Sequence, residues 1–289
     1  MIAALLSTFL MSTSESFVAP GAQVEQIPGT YRFTEGPVWT KRNTLIFSDI
    51  PANKLYEVNG KEVSVYRDPS RNANGHTIDH EGNLYTCEHG SRTVTVTLKD
   101  GTVKTIADSY DGKKLNSPND IAIHPEGWVF FTDPSYGIRA EQQEQPARYV
   151  FWLDPATLKP EVFATGRAQP NGLVFSLDGS KLYLADSEAG GIEVYPAGLT
   201  KGAQPIAKWE APGPDGLRLD TAGNVWAACG DGVRVYSPAG ELLETIKFPQ
   251  QPANLCFGED GKTLFVTART GVYKLRLRIK GIMPGFPRD

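Results

Sequence analysis

Six positions along the 289-residue chain open the same short pattern, and they hold Glu35, Asn74, Asn119, Asn171, Asp215 and Ala253. Five of the six carry a side-chain oxygen, and two are acids. Carboxylate and amide oxygens that converge from several directions suit a hard divalent cation such as Ca²⁺ or Mg²⁺. Two carboxylates largely neutralise its charge, and water or substrate completes the shell. The plainer alternative is that these residues only hydrogen-bond loop backbones at a channel entrance, a habit of Asn and Asp. For Asn74, which could stand just off the axis, that alternative is the stronger one.

The element that must position them is a repeated hairpin. Asn119-Asp-Ile-Ala-Ile-His-Pro-Glu-Gly127 runs into Trp-Val-Phe-Phe-Thr-Asp133, and Asn171-Gly-Leu-Val-Phe-Ser-Leu-Asp-Gly179 runs into Lys-Leu-Tyr-Leu-Ala-Asp186. Period-2 alternation, a turn with Gly or Asn able to take positive φ, and period 2 again describe a β-hairpin. The six openings are 38 to 52 residues apart, and further short strands fit between them at 54–58, 94–98, 149–153, 192–195 and 233–236. Four strands in each such interval mark a propeller blade. The chain is therefore expected to be an all-β, six-bladed β-propeller with four-stranded antiparallel blades around a central channel. Equivalent positions of the innermost strands then form a ring, which is why the opening residues can be read across blades. No stretch keeps a helical apolar period. Residues 138–148 are expected to be an inter-strand loop over the channel mouth. Residues 18–289 read as a single domain, because the even repeat disfavours a pair of sandwiches, and residues 1–17 as an N-terminal extension or signal segment.

Composition narrows the function. The 29 glycines and 21 prolines come with 40% apolar residues, which excludes collagen and disorder. A net charge of −4 gives no basic footprint for nucleic acid and no attraction to an anionic membrane. Cys87, Cys229 and Cys256 are too few for a disulfide framework and read as small apolar fillers. The apolar run at residues 2–11 is too short to span a bilayer. It suits a signal segment or an upstream start with Met11 as initiator, which leaves cytoplasm and periplasm both open. The serine-hydrolase elbow, HExxH, P-loop, EF-hand and dinucleotide fingerprints are absent. Asp108-Ser-Tyr-Asp-Gly112 resembles a calcium loop only vaguely, lacking the alternating ligands and the closing Glu. His80, His89 and His124 are expected at turns and in solvent.

Five motifs in order carry a resemblance: Glu35-Gly-Pro-Val-Trp39, Leu115-Asn-Ser-Pro-Asn-Asp120, Thr132-Asp-Pro-Ser-Tyr-Gly137, Pro170-Asn-Gly-Leu173 and Pro214-Asp-Gly-Leu217. Together they resemble the gluconolactonase, senescence-marker-protein and luciferin-regenerating enzyme family. Gly75-His-Thr77 and Thr86-Cys-Glu-His-Gly90 resemble its bacterial gluconolactonase branch. The resemblance implies a six-bladed propeller with one divalent metal cation (Ca, Mg, Mn or Zn) in the channel. It implies metal ligands at Glu35, Asn171 and Asp215, a metal or substrate contact at Asn119, and a general base at Asp215. Mammalian members carry an arginine where this chain has Ser117, so the substrate-facing set is expected to draw instead on His76, Glu88 and Tyr136, beside Asn119. His76 reads equally well as a buried core residue.

The residue types fit that chemistry. A cation on a lactone carbonyl withdraws charge, and a nearby carboxylate can deprotonate the attacking water. Asp215 has the shorter stem and reads as the base, and Glu35 as a pure ligand. The expected function is metal-dependent hydrolysis of a sugar lactone, with a small-molecule lactone as partner. Phosphotriester or ester hydrolysis on the same metal and a non-catalytic binding propeller are the alternatives.

Overall fold

The computed structural model describes residues 15–287. The apolar run at residues 2–11 lies outside them. The described residues form six four-stranded antiparallel sheets, with a short extra hairpin and no α-helix. Blade one holds Thr34–Trp39, Leu45–Asp49, Lys54–Asn59 and Glu62–Arg67, in that order from the axis outward. The innermost strands of the next five are Ala73–Ile78, Ile121–Ile123, Pro170–Phe175, Leu217–Leu219 and Asn254–Gly258. Each innermost strand touches that of the next blade, and the sixth touches the first. The six sheets are thus a closed ring, the propeller that the repeat predicts.

Closure has a part that the repeat does not show. Blade six takes its outermost strand from the N-terminal side, Glu25–Gln26 pairing with Lys274 and Tyr273. First and last parts of the chain are therefore joined in one sheet. Between blades, apolar faces pack into clusters such as Trp226, Leu255, Phe257 and Val266, which join blades five and six. The three cysteines are buried and unpaired, as fillers should be.

The acid that ends several repeats has a structural job. Asp49 accepts the backbone N–H groups of Arg32 and Phe33, and Asp186 those of Ala168 and Gln169. Each ties down the loop that enters its own blade's inner strand. Asp108-Ser-Tyr-Asp-Gly112 lies in the extra hairpin, Ser109–Tyr110 against Lys113–Lys114. Asp111 and Gly112 both take positive φ at its turn (51° and 72°), the type I′ geometry that Asp-Gly favours. Residues 138–148 connect two strands of blade three, with one 3-10 turn at Ala140–Gln142.

At the end of the channel away from the ring of oxygens, the C-terminal segment crosses the blades. Ile282 N–H donates to Leu219 O and Gly281 N–H to Gly261 O, both at 2.8 Å. Below it a cavity of ≈ 90 Å³ is lined by Thr77, Ala122, Val174, Arg218, Ile282 and Met283 among others.

Candidate functional site

The ring residues sit where each inner strand begins. The pairing there slips, between Glu35 and Val38, Ala73 and His76, and Pro170 and Leu173. Backbones of neighbouring blades come into direct contact at this level. Gly75 N–H donates to Asn119 O (2.8 Å), and Gly216 N–H to Ala253 O (2.9 Å). A Cβ on Gly172 would stand 2.2 Å from Asp215 O, so only glycine admits that approach. The close ring brings side chains from different blades within reach of one another.

Glu35, Asn74, Asn119 and Asn171 are buried, and Asp215 is part-buried with its Oδ1 enclosed. Asn74 Oδ1, Asn171 Oδ1 and Asp215 Oδ1 are buried oxygens with no hydrogen-bond partner. Buried polar atoms are rarely left so, and three around one channel call for a shared explanation. Each amide is turned by a neighbour. The Asn171 NH₂ donates to Ser187 Oγ (2.9 Å), which itself donates to Pro214 O (2.7 Å). The Asn74 NH₂ lies 3.1 Å from His89 Nε2. Burial holds His89 down to about 4, so its ring is neutral and Nε2 accepts from the amide. In both amides the NH₂ is occupied and the oxygen is left free.

The acids repel one another. Burial, and then the charge of Asp120, push Glu35 up to about 7. Burial, and then the charges of Glu35 and Asp120, raise Asp215 well above the usual carboxylate range. Two carboxylates set close together in a dry channel are costly to ionise without a positive partner. Glu35 Oε2 accepts from Gly36 N–H and from Asn254 Nδ2 at 3.0 Å, which fixes the carboxylate.

Of the expected substrate residues, the structure brings Tyr136 to the site and encloses two others. The Tyr136 side chain, half exposed, lies against Ser187 and Asn171 and beside Asp215. Its loop is pinned by Ser117, whose hydroxyl accepts Gly137 N–H (2.9 Å) and donates to Pro134 O (2.9 Å). His76 is fully buried, with Nε2 at 2.8 Å from Ser48 Oγ and Nδ1 at 3.0 Å from Thr86 Oγ1. Burial pushes it down to about 3, and it stays neutral. Glu88 is fully buried in the second blade, where Ser91, Thr93 and Thr95 donate to it from its own blade and Arg67 from the first. Neither has a group left for a ligand, because both are engaged within the second blade and across its seam with the first. Of the other histidines, His80 is exposed at a turn, as expected. His89 and His124 are not in solvent. Both are buried, the first as the orienter of Asn74 and the second stacked on Trp128 with centroids 5.0 Å apart.

Asp120, Asn254 and Arg218, which lie beneath the ring, are not among the residues expected from sequence. Nothing local marks them: each sits on or beside an inner strand among residues of mixed type. His89 escapes notice because its partner is fifteen residues away, on another strand.

Residues 33–270 match the family model described as SMP-30/Gluconolactonase/LRE-like region. The chain belongs to this family. It is 31% identical to the gluconolactonase of Zymomonas mobilis, over 89% of this chain and 82% of that one. It is 27% identical to regucalcin of Xenopus laevis, over 88% and 94%. A solved gluconolactonase of Xanthomonas campestris superposes with a TM-score of 0.82 at 28% identity, covering 90% of this chain and 91% of that one. Family membership spans all six blades, and so it bears on the ring as a whole rather than on one motif.

Proposed function

We propose that the chain opens a sugar lactone, an aldonolactone such as gluconolactone, to its hydroxy acid with the help of one divalent cation. The observation that carries this reading is the set of unpartnered, buried oxygens of Asn171 and Asp215 beside Glu35. The relatives named gluconolactonase support the substrate class. Among the described residues no three His, Cys, Asp or Glu stand together to hold a metal. The donor set is therefore two carboxylates completed by amides, which favours a hard cation over a soft one. Glu35, Asn171 and Asp215 would hold it, with Asn119 at the next ring position and Asn74 offering a further oxygen.

When bound, the cation supplies a positive charge that draws electron density from a lactone carbonyl. Asp215 takes a proton from water as the water oxygen bonds to the carbonyl carbon. It returns the proton to the ring oxygen as that C–O bond breaks, so that one water is added in total. Its backbone is fixed for this role by the hydrogen bond from its N–H to Ala228 O (2.8 Å). Glu35 has one oxygen engaged by two donors, and acts as a ligand. Asn119 and Tyr136 present polar groups to the hydroxyls of a sugar.

The test is chelation. Gluconolactone hydrolysis, followed by acid release, falls to the spontaneous rate in excess EDTA and returns with Ca²⁺, Mg²⁺, Mn²⁺ or Zn²⁺. Full activity in protein shown to be metal-free contradicts the proposal.

A further inference from the structure

One residue beyond each ring position stand Gly36, Gly75, Asp120, Gly172, Gly216 and Asn254. Four are glycines, and the space beside two of them is filled by neighbours at this level: a Cβ on Gly216 would meet Asn254 Oδ1 at 2.0 Å, and one on Gly75 would meet Asp120 Oδ1 at 2.5 Å. Asn254 Nδ2 lies 3.4 Å from Asp120 Oδ2 and 3.0 Å from Glu35 Oε2. Asp120 belongs to blade three and Asn254 to blade six, across the channel from each other, so their contact is on the axis. Arg218 reaches the same point from blade five. Its Nη1 donates to Leu217 O (2.7 Å) and lies 3.8 Å from Asp120 Oδ2. Asp120, Asn254 and Arg218 are 0%, 1% and 4% exposed, so water does not neutralise them. Arg218 Nε has no hydrogen-bond partner, and its stem lines the mostly apolar cavity closed by Ile282 and Met283. Among the described residues its ion-pair partner is Asp120.

We propose that Asp120, Asn254 and Arg218 form a charge-setting floor that matches the site above it to a cation of charge two. The inference rests on the metal-dependent reading just given. Glu35, Asp215 and Asp120 bring three negative charges and Arg218 one positive, which leaves two negative charges in a dry interior. A divalent cation cancels them, whereas a residue of charge left over there is costly. Asn254 donates toward both Glu35 and Asp120, separates the two acids, and keeps Glu35 Oε2 turned to the floor. These are positioning residues. They act on the cation through Glu35 and through the field.

The experiment measures Ca²⁺ affinity by calorimetry and Tb³⁺ affinity by luminescence on the full chain, and compares the ratio between variants. Arg218→Met removes a positive charge and raises the Tb³⁺/Ca²⁺ affinity ratio on the order of tenfold or more. Asp120→Asn, nearly isosteric, lowers it by a similar factor. Arg218→Lys keeps the charge and the wild-type ratio. A purely structural floor would weaken both ions alike and leave the ratio unmoved. If Arg218→Met does not fold, Asp120→Asn decides. An unmoved ratio in Asp120→Asn overturns the floor while the metal reading stands. A wild-type chain that binds no divalent cation overturns both.

Discussion

At the scale of single residues, function depends on which oxygens are engaged and which are free. Asp215 has an unpartnered oxygen and a carboxyl that burial and Glu35 make hard to ionise. Asp215→Asn keeps the shape and an oxygen ligand but cannot take a proton. Its kcat for gluconolactone is expected to fall by about 10²-fold or more, with the fold intact by circular dichroism and cation binding weakened but present. Wild-type turnover in that variant would remove Asp215 as the base. Much of this scale was legible: the oxygen-bearing residues that open each repeat share one register position, so their phase on the ring follows from the pattern. The rest was not. Glu88 and His76 have the right types for sugar binding, yet their own blade and the one before it engage every polar atom they have. Asp120 and Asn254 follow ring residues directly, where strand alternation predicts the opposite face; Asn119 and Asp120 both bond to Thr132, and Ala253 and Asn254 both oppose Thr267, so two residues face one and the alternation breaks.

At the scale of elements, glycine divides into two kinds that sequence alone treats as one. Gly127 takes φ of +94° in a hairpin turn and has open space within 4 Å of where a Cβ would stand, whereas Gly172 has ordinary φ and no room at all. Gly127→Ala is expected to cost only backbone strain, roughly 1 kcal/mol in urea unfolding. Gly172→Ala pushes against the Asp215 carbonyl and should cost more than that, with cation affinity reduced as well. Equal stability loss in the two variants, with unchanged cation affinity, would contradict the close approach of neighbouring blades at the ring. The hairpins themselves were legible because turn and alternation are local signals. Closure of blade six by Glu25–Gln26 was not, because that pair of residues carries no pattern and its partner strand lies at the far end of the chain.

At the scale of the whole molecule, the two acids of the ring at one end of a closed channel would couple stability to the proposed cation. In the cation-free fold, Glu35 is raised from 4.5 to about 7 by burial first and Asp120 second, and Asp215 is raised too. Between those values the folded chain holds protons that the unfolded chain has released. Stability of the cation-free protein therefore falls as pH rises from about 4.5 to about 7. Asp133, raised to about 7 by burial, adds a slope of the same sign with or without the cation. Saturation with Ca²⁺ keeps the ring acids ionised and removes their share, adding about 2.7 kcal/mol at a hundred times Kd. Thermal unfolding across that range should show a Tm that declines more steeply without the cation, and parallel curves would contradict the coupling. The central claim, that the ring of oxygens binds one divalent cation, is tested most directly by crystals grown with Mn²⁺ and measured for anomalous scattering. One strong peak is expected on the channel axis, with Glu35, Asn171 and Asp215 as ligands. No peak in the channel of Mn²⁺-saturated crystals, or a peak that none of these three residues touches, would contradict it.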